Sequence, residues 1–85
     1  MTKNYTWHVD CGHEWLEVTK AELERLNGVK YYSRFSYQKD GNVFLEGDCD
    51  AAKFLQAKNF CGEKVSFTEK VYQGDAPLRT FERLH

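Results

Sequence analysis

The chain contains no isoleucine, one proline and six glycines among its 85 residues. So little proline and glycine predicts neither a linker nor a low-complexity segment, and we expect one domain that spans residues 1–85. Aliphatic side chains are comparatively few, but two Trp, five Tyr and six Phe are present. Because each aromatic ring can bury on the order of 150–250 Å², we expect an aromatic core. A body this small leaves little room for a deep pocket.

The chain also lacks an excess of charge, because twelve basic residues nearly balance thirteen acidic ones. This balance argues against a surface built throughout to attract nucleic acid or anionic lipid. No apolar run approaches the roughly 18–20 residues of a membrane helix, and the amino-terminal residues lack the apolar centre of a secretion signal. We therefore expect a cytoplasmic protein that does not contact a membrane.

Three cysteines are an odd number, which predicts reduced thiols instead of the disulfide framework of a small secreted domain. His8, Cys11 and His13 lie close together in the sequence, at a separation that zinc sites use. No Cys-x-x-Cys pair accompanies them, and Cys49 and Cys61 are distant. We therefore predict no metal, with zinc at His8, Cys11 and His13 as an alternative.

Cys49 lies near a predicted helix start, a position where the pKa of a thiol is often lowered. Its neighbours Asp48 and Asp50 oppose a thiolate electrostatically, so a cysteine nucleophile is not expected. The same two carboxylates lack the further oxygen donors of a calcium loop. The sequence predicts neither an enzyme nor a cofactor.

Alternating apolar and polar residues predict the first two strands, over residues 5–9 and 14–18, joined as a hairpin. The segment Thr19-Lys20-Ala21-Glu22 is a capping box, in which the Thr19 hydroxyl accepts from the Glu22 amide and the Glu22 carboxylate reaches back. This box predicts a helix from Lys20 to Asn27 that stops at Gly28.

The same signals predict the remaining elements. Residues 31–38 and 43–46 alternate on either side of Asp40-Gly41, which predicts a hairpin with an aromatic first strand. Asp48 is the predicted cap of a helix that reaches Lys58. Residues 65–72 then predict a fifth strand, and residues 78–83 predict a short edge strand or a docked tail.

The order β-β-α-β-β-α-β is typical of a two-layer α+β domain. We expect an antiparallel sheet of about five strands with two helices on one face. A strand edge near residues 78–83 could pair with a second copy of the chain, so the sequence leaves both a monomer and a homodimer open.

The densest acidic segment contains Glu46, Asp48 and Asp50. Clustered carboxylates can imitate nucleic-acid phosphates toward a basic groove, so we predict that this patch binds a partner. Trp15 and Tyr32 are the predicted anchors of the contact, since exposed Trp and Tyr residues are typical of protein interfaces. An alternative interpretation places Trp15 in a small packed cluster beneath residues 78–81.

A second candidate surface lies along the aromatic strand, where Lys30, Tyr32, Arg34 and Lys39 could stack on and neutralise a single-stranded nucleic acid. The near-zero net charge weakens this hypothesis. The glycine-flanked aromatic motif of RNA-recognition sheets is also missing. A nucleic-acid-binding module is therefore the alternative function and not the first.

Three segments resemble a group of small, functionally unassigned proteins encoded by bacteriophages, prophages and other mobile elements. They are GHEWLEV at residues 12–18, SRFSY at 33–37 and VFLEGDCDA at 43–51. Gly47 departs from this pattern, which leads us to expect an acidic residue there. The resemblance implies a phage-type origin and no catalytic residue.

Small phage proteins of this kind often bind a host protein and include inhibitors of bacterial immunity such as anti-CRISPR proteins. By analogy, the resemblance implies a binding protein that inhibits or modulates a host factor by covering its surface. The expected partner is a host protein or a component of an anti-phage defence complex.

Overall fold

The computed structural model describes residues 2–85 and shows an α+β fold with two α-helices and a sheet of six strands. The strands are β1 (Thr2–Val9), β2 (Glu14–Thr19), β3 (Tyr37–Lys39), β4 (Asn42–Glu46), β5 (Lys64–Val71) and β6 (Glu82–Arg83). The helices are α1 (Lys20–Leu26) and α2 (Asp50–Phe60), with short 3-10 turns at Val29–Tyr31 and Pro77–Thr80. Within the described residues, no helix is long and apolar enough to cross a membrane.

The strand order is β5-β1-β2-β4-β3-β6, and every neighbouring pair is antiparallel except β1 and β5, which are parallel. The prediction of about five antiparallel strands is therefore close in number, since β6 is the short edge strand expected within residues 78–83, but it is wrong in the direction of β5. Helix α2 causes this difference. A helix that connects two strands of one sheet carries the chain back to the end of the sheet at which the first strand began, so the next strand runs in the same direction. This crossover makes β5 parallel to β4 and to β1.

The main core lies between the helices and one face of the sheet. Tyr5 of β1 meets Phe54 of α2 edge to face, with ring centroids 5.4 Å apart. Aliphatic residues that alternate along β2 and β4 point to the same side, as the sequence pattern predicts. The buried residues of this cluster are Tyr5, Leu16, Val18, Leu23, Tyr32, Val43, Leu45, Ala51, Phe54 and Leu84.

The opposite face of the sheet is covered by the segment that follows β5. Trp15 of β2 and Phe44 of β4 pack there against Ala76 and Leu78, and Phe44 lies 5.3 Å from Phe81 between ring centroids. The chain then adds β6 beside β3. The predicted docked tail and the predicted short edge strand are both formed, and they belong to the same segment.

The predicted aromatic strand over residues 31–38 is wrong for most of its length, since only Tyr37–Lys39 pairs in the sheet. The reason is a set of hydrogen bonds to Asp50, which lies at the start of α2. The Asp50 carboxylate accepts from the Ser33 amide at 2.8 Å and from the Ser33 and Ser36 hydroxyls at 2.7 and 2.6 Å. Such side-chain contacts offer the backbone an alternative to strand pairing and fold it onto the start of α2.

The two helices begin differently. The Thr19 hydroxyl accepts from the Glu22 amide at 3.2 Å, so the predicted cap of α1 is confirmed, although the Glu22 carboxylate points elsewhere. Helix α2 has Cys49 as its cap residue and no side-chain cap, so the predicted capping role of Asp48 is wrong. The helix also continues past Lys58 to Phe60.

A buried ion pair connects the two helices with the sheet. The Lys58 Nζ atom lies 2.7 Å from both Glu22 and Glu63, and Lys58 is only 2% exposed. The Tyr5 hydroxyl donates to Glu22 at 2.8 Å. Burial alone would raise the pKa of Glu22, but the hydrogen bonds from Lys58 and Tyr5 outweigh it and lower this pKa to about 2. Burial disfavours the Lys58 charge, yet its carboxylate partners keep the pKa of Lys58 above its ordinary value.

Replacing Lys58 by alanine is expected to lower the free energy of unfolding by about 3 kcal/mol, because Glu22 stays buried after losing its closest cation. Urea unfolding followed by circular dichroism measures the change. Lys64→Ala is the control, since Lys64 is exposed on β5, and it should cost less than about 0.5 kcal/mol. A loss of under about 1 kcal/mol for Lys58→Ala, the size found for exposed pairs, would contradict this role.

Candidate partner-binding recess

A recess of about 370 Å³ opens on the face of the sheet that the carboxy-terminal segment covers. Two aromatic rings form its floor, and charged side chains of both signs form its walls. We name it the mixed-charge recess. Its lining residues are His13, Trp15, Phe35, Tyr37, Glu46, Asp48, Arg79 and Arg83.

The floor consists of Trp15 and Tyr37, which meet at 6.2 Å between ring centroids and are 2% and 9% exposed. Among residues 2–85 neither the Trp15 indole nitrogen nor the Tyr37 hydroxyl has a hydrogen-bond partner. In this range the only fully buried side-chain polar atom without a partner is Oδ1 of Asp50, so the indole N–H and the phenol each keep some contact with solvent. Because both residues line the recess, a ligand there can bond to them.

The acidic wall is built from residues at the ends of neighbouring strands. Glu46 ends β4, and its carboxylate accepts from the Asp48 amide at 2.8 Å. Glu14 begins β2, and its carbonyl accepts from the Gly47 amide at 2.9 Å. We name Glu14, Glu46 and Asp48 the acidic trio, since together they line the adjoining recess around the β1–β2 turn. Within residues 2–85, none of the three has a Lys or Arg nitrogen within 4.0 Å.

Gly47 allows the backbone that follows β4 to pass close to Glu14. A Cβ atom at this position would lie 2.6 Å from Cγ of Glu14 and 3.0 Å from its carbonyl oxygen. Any side chain there would push Glu14 aside, although the resemblance to phage proteins leads us to expect an acidic residue at this position. The glycine therefore lets β4 turn away directly beside Glu14.

The basic wall contains Arg79 and Arg83, and they differ in their partners. Arg79 lies over the Trp15 ring at 5.0 Å and is bound by Asp10 at 2.6 and 3.0 Å. Arg83 lies over the Tyr37 ring at 4.9 Å, and its hydrogen bond goes to the Arg34 carbonyl at 3.4 Å. Among residues 2–85 no carboxylate lies within 4.0 Å of Arg83. Within the described residues, Arg83 is therefore the arginine of the recess that has no carboxylate partner.

Asp10 holds together the segments that form the recess. Besides Arg79, its buried carboxylate accepts from the Gly12 and His13 amides at 3.0 Å and from the Ala76 amide at 2.9 Å. The hydrogen bonds from Arg79, helped by those amides, outweigh burial and hold the pKa of Asp10 well below its usual range. One carboxylate thus joins the β1–β2 turn to the segment that covers Trp15.

Some of the predicted partner-binding residues are accessible in the structure, and others are buried. Glu46 and Asp48 remain accessible at the recess, but Asp50 is fully buried on Ser33 and Ser36 and cannot belong to an exposed patch. Tyr32 is 3% exposed and donates to Asn27 at 2.8 Å, so its prediction as a surface anchor is wrong.

Trp15 lies in a packed cluster, as the alternative interpretation predicted, because it packs beneath the carboxy-terminal segment. It still reaches the candidate site, since its ring forms part of the floor.

The predicted nucleic-acid residues are scattered, because the strand that would have aligned them is replaced by a 3-10 turn and bends. Lys30 and Arg34 are exposed, Tyr32 is buried, and the Lys39 Nζ atom lies 4.7 Å from the centre of the Phe81 ring. Arg34 instead contributes to a second recess of about 370 Å³, which it lines with Phe35, Arg83 and His85.

The alternative zinc ligands are not assembled. The imidazole of His8 is engaged by the Tyr72 hydroxyl at 2.8 Å and by Glu17 at 2.7 Å. Cys11 and His13 are exposed in the turn that follows. In residues 2–85 no group of three or more His, Cys, Asp or Glu side chains is placed to hold a metal ion. Cys11, Cys49 and Cys61 are all exposed free thiols.

Sequence reasoning missed Tyr37, Arg79 and Arg83 as members of one site. The prediction of a docked tail over residues 78–83 was the available signal, because a tail that covers Trp15 must bring its arginines close to that ring. The strand that each tail residue would meet could not be derived, since β6 pairs with β3 across a separation of more than forty residues.

Comparison with protein-family models, with curated proteins and with solved structures gives no match for this chain. The resemblance to phage proteins therefore rests on the three short segments, and the geometry of the recess carries the functional argument.

The stability should depend on pH through Asp10 and Glu22. Their ordinary pKa values are 3.8 and 4.5, and both fall in the folded chain. The unfolded chain therefore binds more protons from about pH 5 downward, so the free energy of unfolding should fall as the pH falls toward about 2. Urea unfolding at a series of pH values measures this slope.

Asp10→Asn should unfold more easily at neutral pH and show a shallower slope, because one of the carboxylates whose pKa is lowered by folding is gone. Asp40→Asn is the control, since Asp40 is exposed in a turn that Asn also tolerates. An Asp10→Asn slope equal to that of the unmodified chain would refute the role given to Asp10.

Proposed function

We propose that this protein is a phage-type binding protein that inhibits or modulates a bacterial host factor by covering a basic surface, such as that of a component of an anti-phage defence complex. The observation that carries the proposal is the acidic trio at the edge of the mixed-charge recess, whose carboxylates have no cationic partner within residues 2–85.

Charge pairing elsewhere in the chain supports this. The buried carboxylates of Asp10 and Glu22 are each bound by basic side chains. The acidic trio has no such cation within residues 2–85, although its members line one recess. A partner that brings basic groups would supply the missing counter-charges, so complementary charge favours binding and speeds association.

The support of the trio also suits binding. Glu14 and Glu46 lie on β2 and β4 in the interior of the sheet, and Asp10 fixes the adjacent turn. A surface held in place before the contact loses little conformational entropy on binding. Resemblance to phage proteins adds the expectation that the partner belongs to the host.

Glu46→Lys/Asp48→Lys should weaken partner binding about tenfold or more at low salt, because both charges then repel a basic surface. The measurement is affinity capture from bacterial lysate, with the bound proteins quantified by mass spectrometry. Glu24→Lys/Glu69→Lys is the control with the same change in net charge, since both residues are exposed and line neither recess.

The unmodified protein, the charge-reversed variant Glu46→Lys/Asp48→Lys and the control should also differ in their effect on phage growth in a bacterium that carries a defence system. Unmodified protein and control should raise the plaquing efficiency of phage, and the charge-reversed variant should not. If all three proteins capture the same partners equally, the acidic trio does not mediate binding and the proposal fails.

A second candidate function is binding of single-stranded nucleic acid at the recess of Arg34, Phe35, Arg83 and His85. Phe35 is 56% exposed, and the Arg34 guanidinium lies 5.6 Å from its ring centre. An accessible ring flanked by cations is typical of sites on which a base stacks. Glu46 and Asp48 share the neighbouring recess with Arg83, and they oppose a phosphate, so this function ranks second.

Fluorescence titration with labelled single-stranded oligonucleotides at several salt concentrations tests this candidate. Phe35→Ala should weaken binding by about 1–3 kcal/mol through the loss of one stacked base. Phe60→Ala should have no effect, because Phe60 is an exposed ring at the end of α2. No binding at low salt would exclude the candidate.

A further inference from the structure

We infer that the mixed-charge recess receives a partner segment in which a basic side chain and an acidic side chain are neighbours. The inference rests on the proposed function and specifies the chemistry of the residues that enter the site. Its basis is a floor with two polar atoms that have no hydrogen-bond partner among residues 2–85, between walls of opposite charge.

The two walls stand on either side of Tyr37. Glu46 belongs to β4 and Arg83 to β6, and β3 with Tyr37 lies between these strands. Arg83 and Phe44 both pair with Tyr37, and Glu46 lies two residues beyond Phe44. With strands spaced by about 4.7–4.9 Å and a rise of about 3.3 Å per residue, the backbones of Arg83 and Glu46 are roughly 12 Å apart. No salt bridge joins the walls across this gap among residues 2–85.

The charges of the walls select a segment of mixed sign. Glu46 and Asp48 have no cationic partner in the described part of the chain, residues 2–85, and attract a basic side chain. Arg79 is already neutralised by Asp10, so Arg83 is the group that attracts a carboxylate. A purely basic segment would place a cation beside Arg83, and a purely acidic one would meet two carboxylates. Only a segment with both signs satisfies both walls.

The floor favours a peptide over a small ion. Trp15 and Tyr37 are each at least nine-tenths buried, and their indole N–H and phenol have no partner within residues 2–85. An indole N–H can only donate, and a phenol both donates and accepts. These capacities match the carbonyl and amide groups of a main chain that crosses the floor.

An extended backbone in the partner segment would suit the arrangement of the two walls. Successive side chains of an extended segment point to opposite sides, so adjacent basic and acidic residues would reach opposite walls. The volume of about 370 Å³ lies at the small end of ligand sites. It suits two neighbouring side chains and not a folded element.

Nuclear magnetic resonance titration with the acetylated and amidated dipeptide Arg-Asp tests the inference. The Trp15 indole resonance should shift and saturate. The Trp7 indole is an internal control, because Trp7 packs against the core on the helix side of the sheet. The dipeptides Arg-Gln and Gln-Asp should each bind about tenfold more weakly, since each lacks one charge-assisted bond.

Two variants assign the charges to the walls. Glu46→Gln/Asp48→Asn should lose the preference for Arg-Asp over Gln-Asp, and Arg83→Gln should lose the preference for Arg-Asp over Arg-Gln. Glu69→Gln, on the exposed strand β5, should keep both preferences. Equal shifts with all three dipeptides, shifts at Trp7 alone or no shift at all would overturn the inference.

The dipeptide and capture experiments fail independently. Capture of a host protein that depends on Glu46 and Asp48, without dipeptide selectivity, would refute this inference and leave the proposed function standing. Selective dipeptide binding without any capture that depends on the trio would support the site chemistry and refute the proposed function.

Discussion

The carboxylate of Asp10 is the interaction on which the second face of the sheet depends. It accepts hydrogen bonds from the backbone of the β1–β2 turn, from the Ala76 amide and from Arg79. A single buried charge therefore fastens the carboxy-terminal segment over Trp15. This attachment is what turns an open sheet face into a recess with an aromatic floor and a basic wall.

The charged side chains discussed above form two groups, one buried and one accessible to water. Where a charge is buried, as in Lys58 with Glu22 or Arg79 with Asp10, it is paired and hydrogen-bonded. Burial of an unpaired ion costs several kcal/mol, which makes this pairing necessary for folding. The acidic trio and Arg83 have no such requirement, because they reach water at the recess. They have no partner of opposite charge among residues 2–85, which costs little in the free protein because water solvates them, and which favours contact with a charged surface.

Local signals predicted the parts of the fold that local contacts decide. The Thr19 cap of α1 and the Asp40-Gly41 turn are formed, the latter with positive φ at both residues. The predicted aromatic strand failed at Ser33 and Ser36, because their partner Asp50 lies beyond an intervening strand and no periodicity shows it. The same contact removes Asp50 from the predicted acidic patch. Glu46 and Asp48 were predicted as site residues and do line the recess, whereas Arg79 and Arg83 enter it only through the path of the tail.

Sequence alone determined the α+β class, the two helices and the acidic segment that ends at the recess, because alternation, capping and turn residues act between near neighbours. Tertiary structure alone decided that β5 runs parallel to β1, that Tyr32 is buried, and that Trp15 and Tyr37 lie beneath two arginines. These outcomes depend on which distant segments share a strand edge or a sheet face. Such pairings are set by the packing of the whole chain, and no short stretch of residues encodes them.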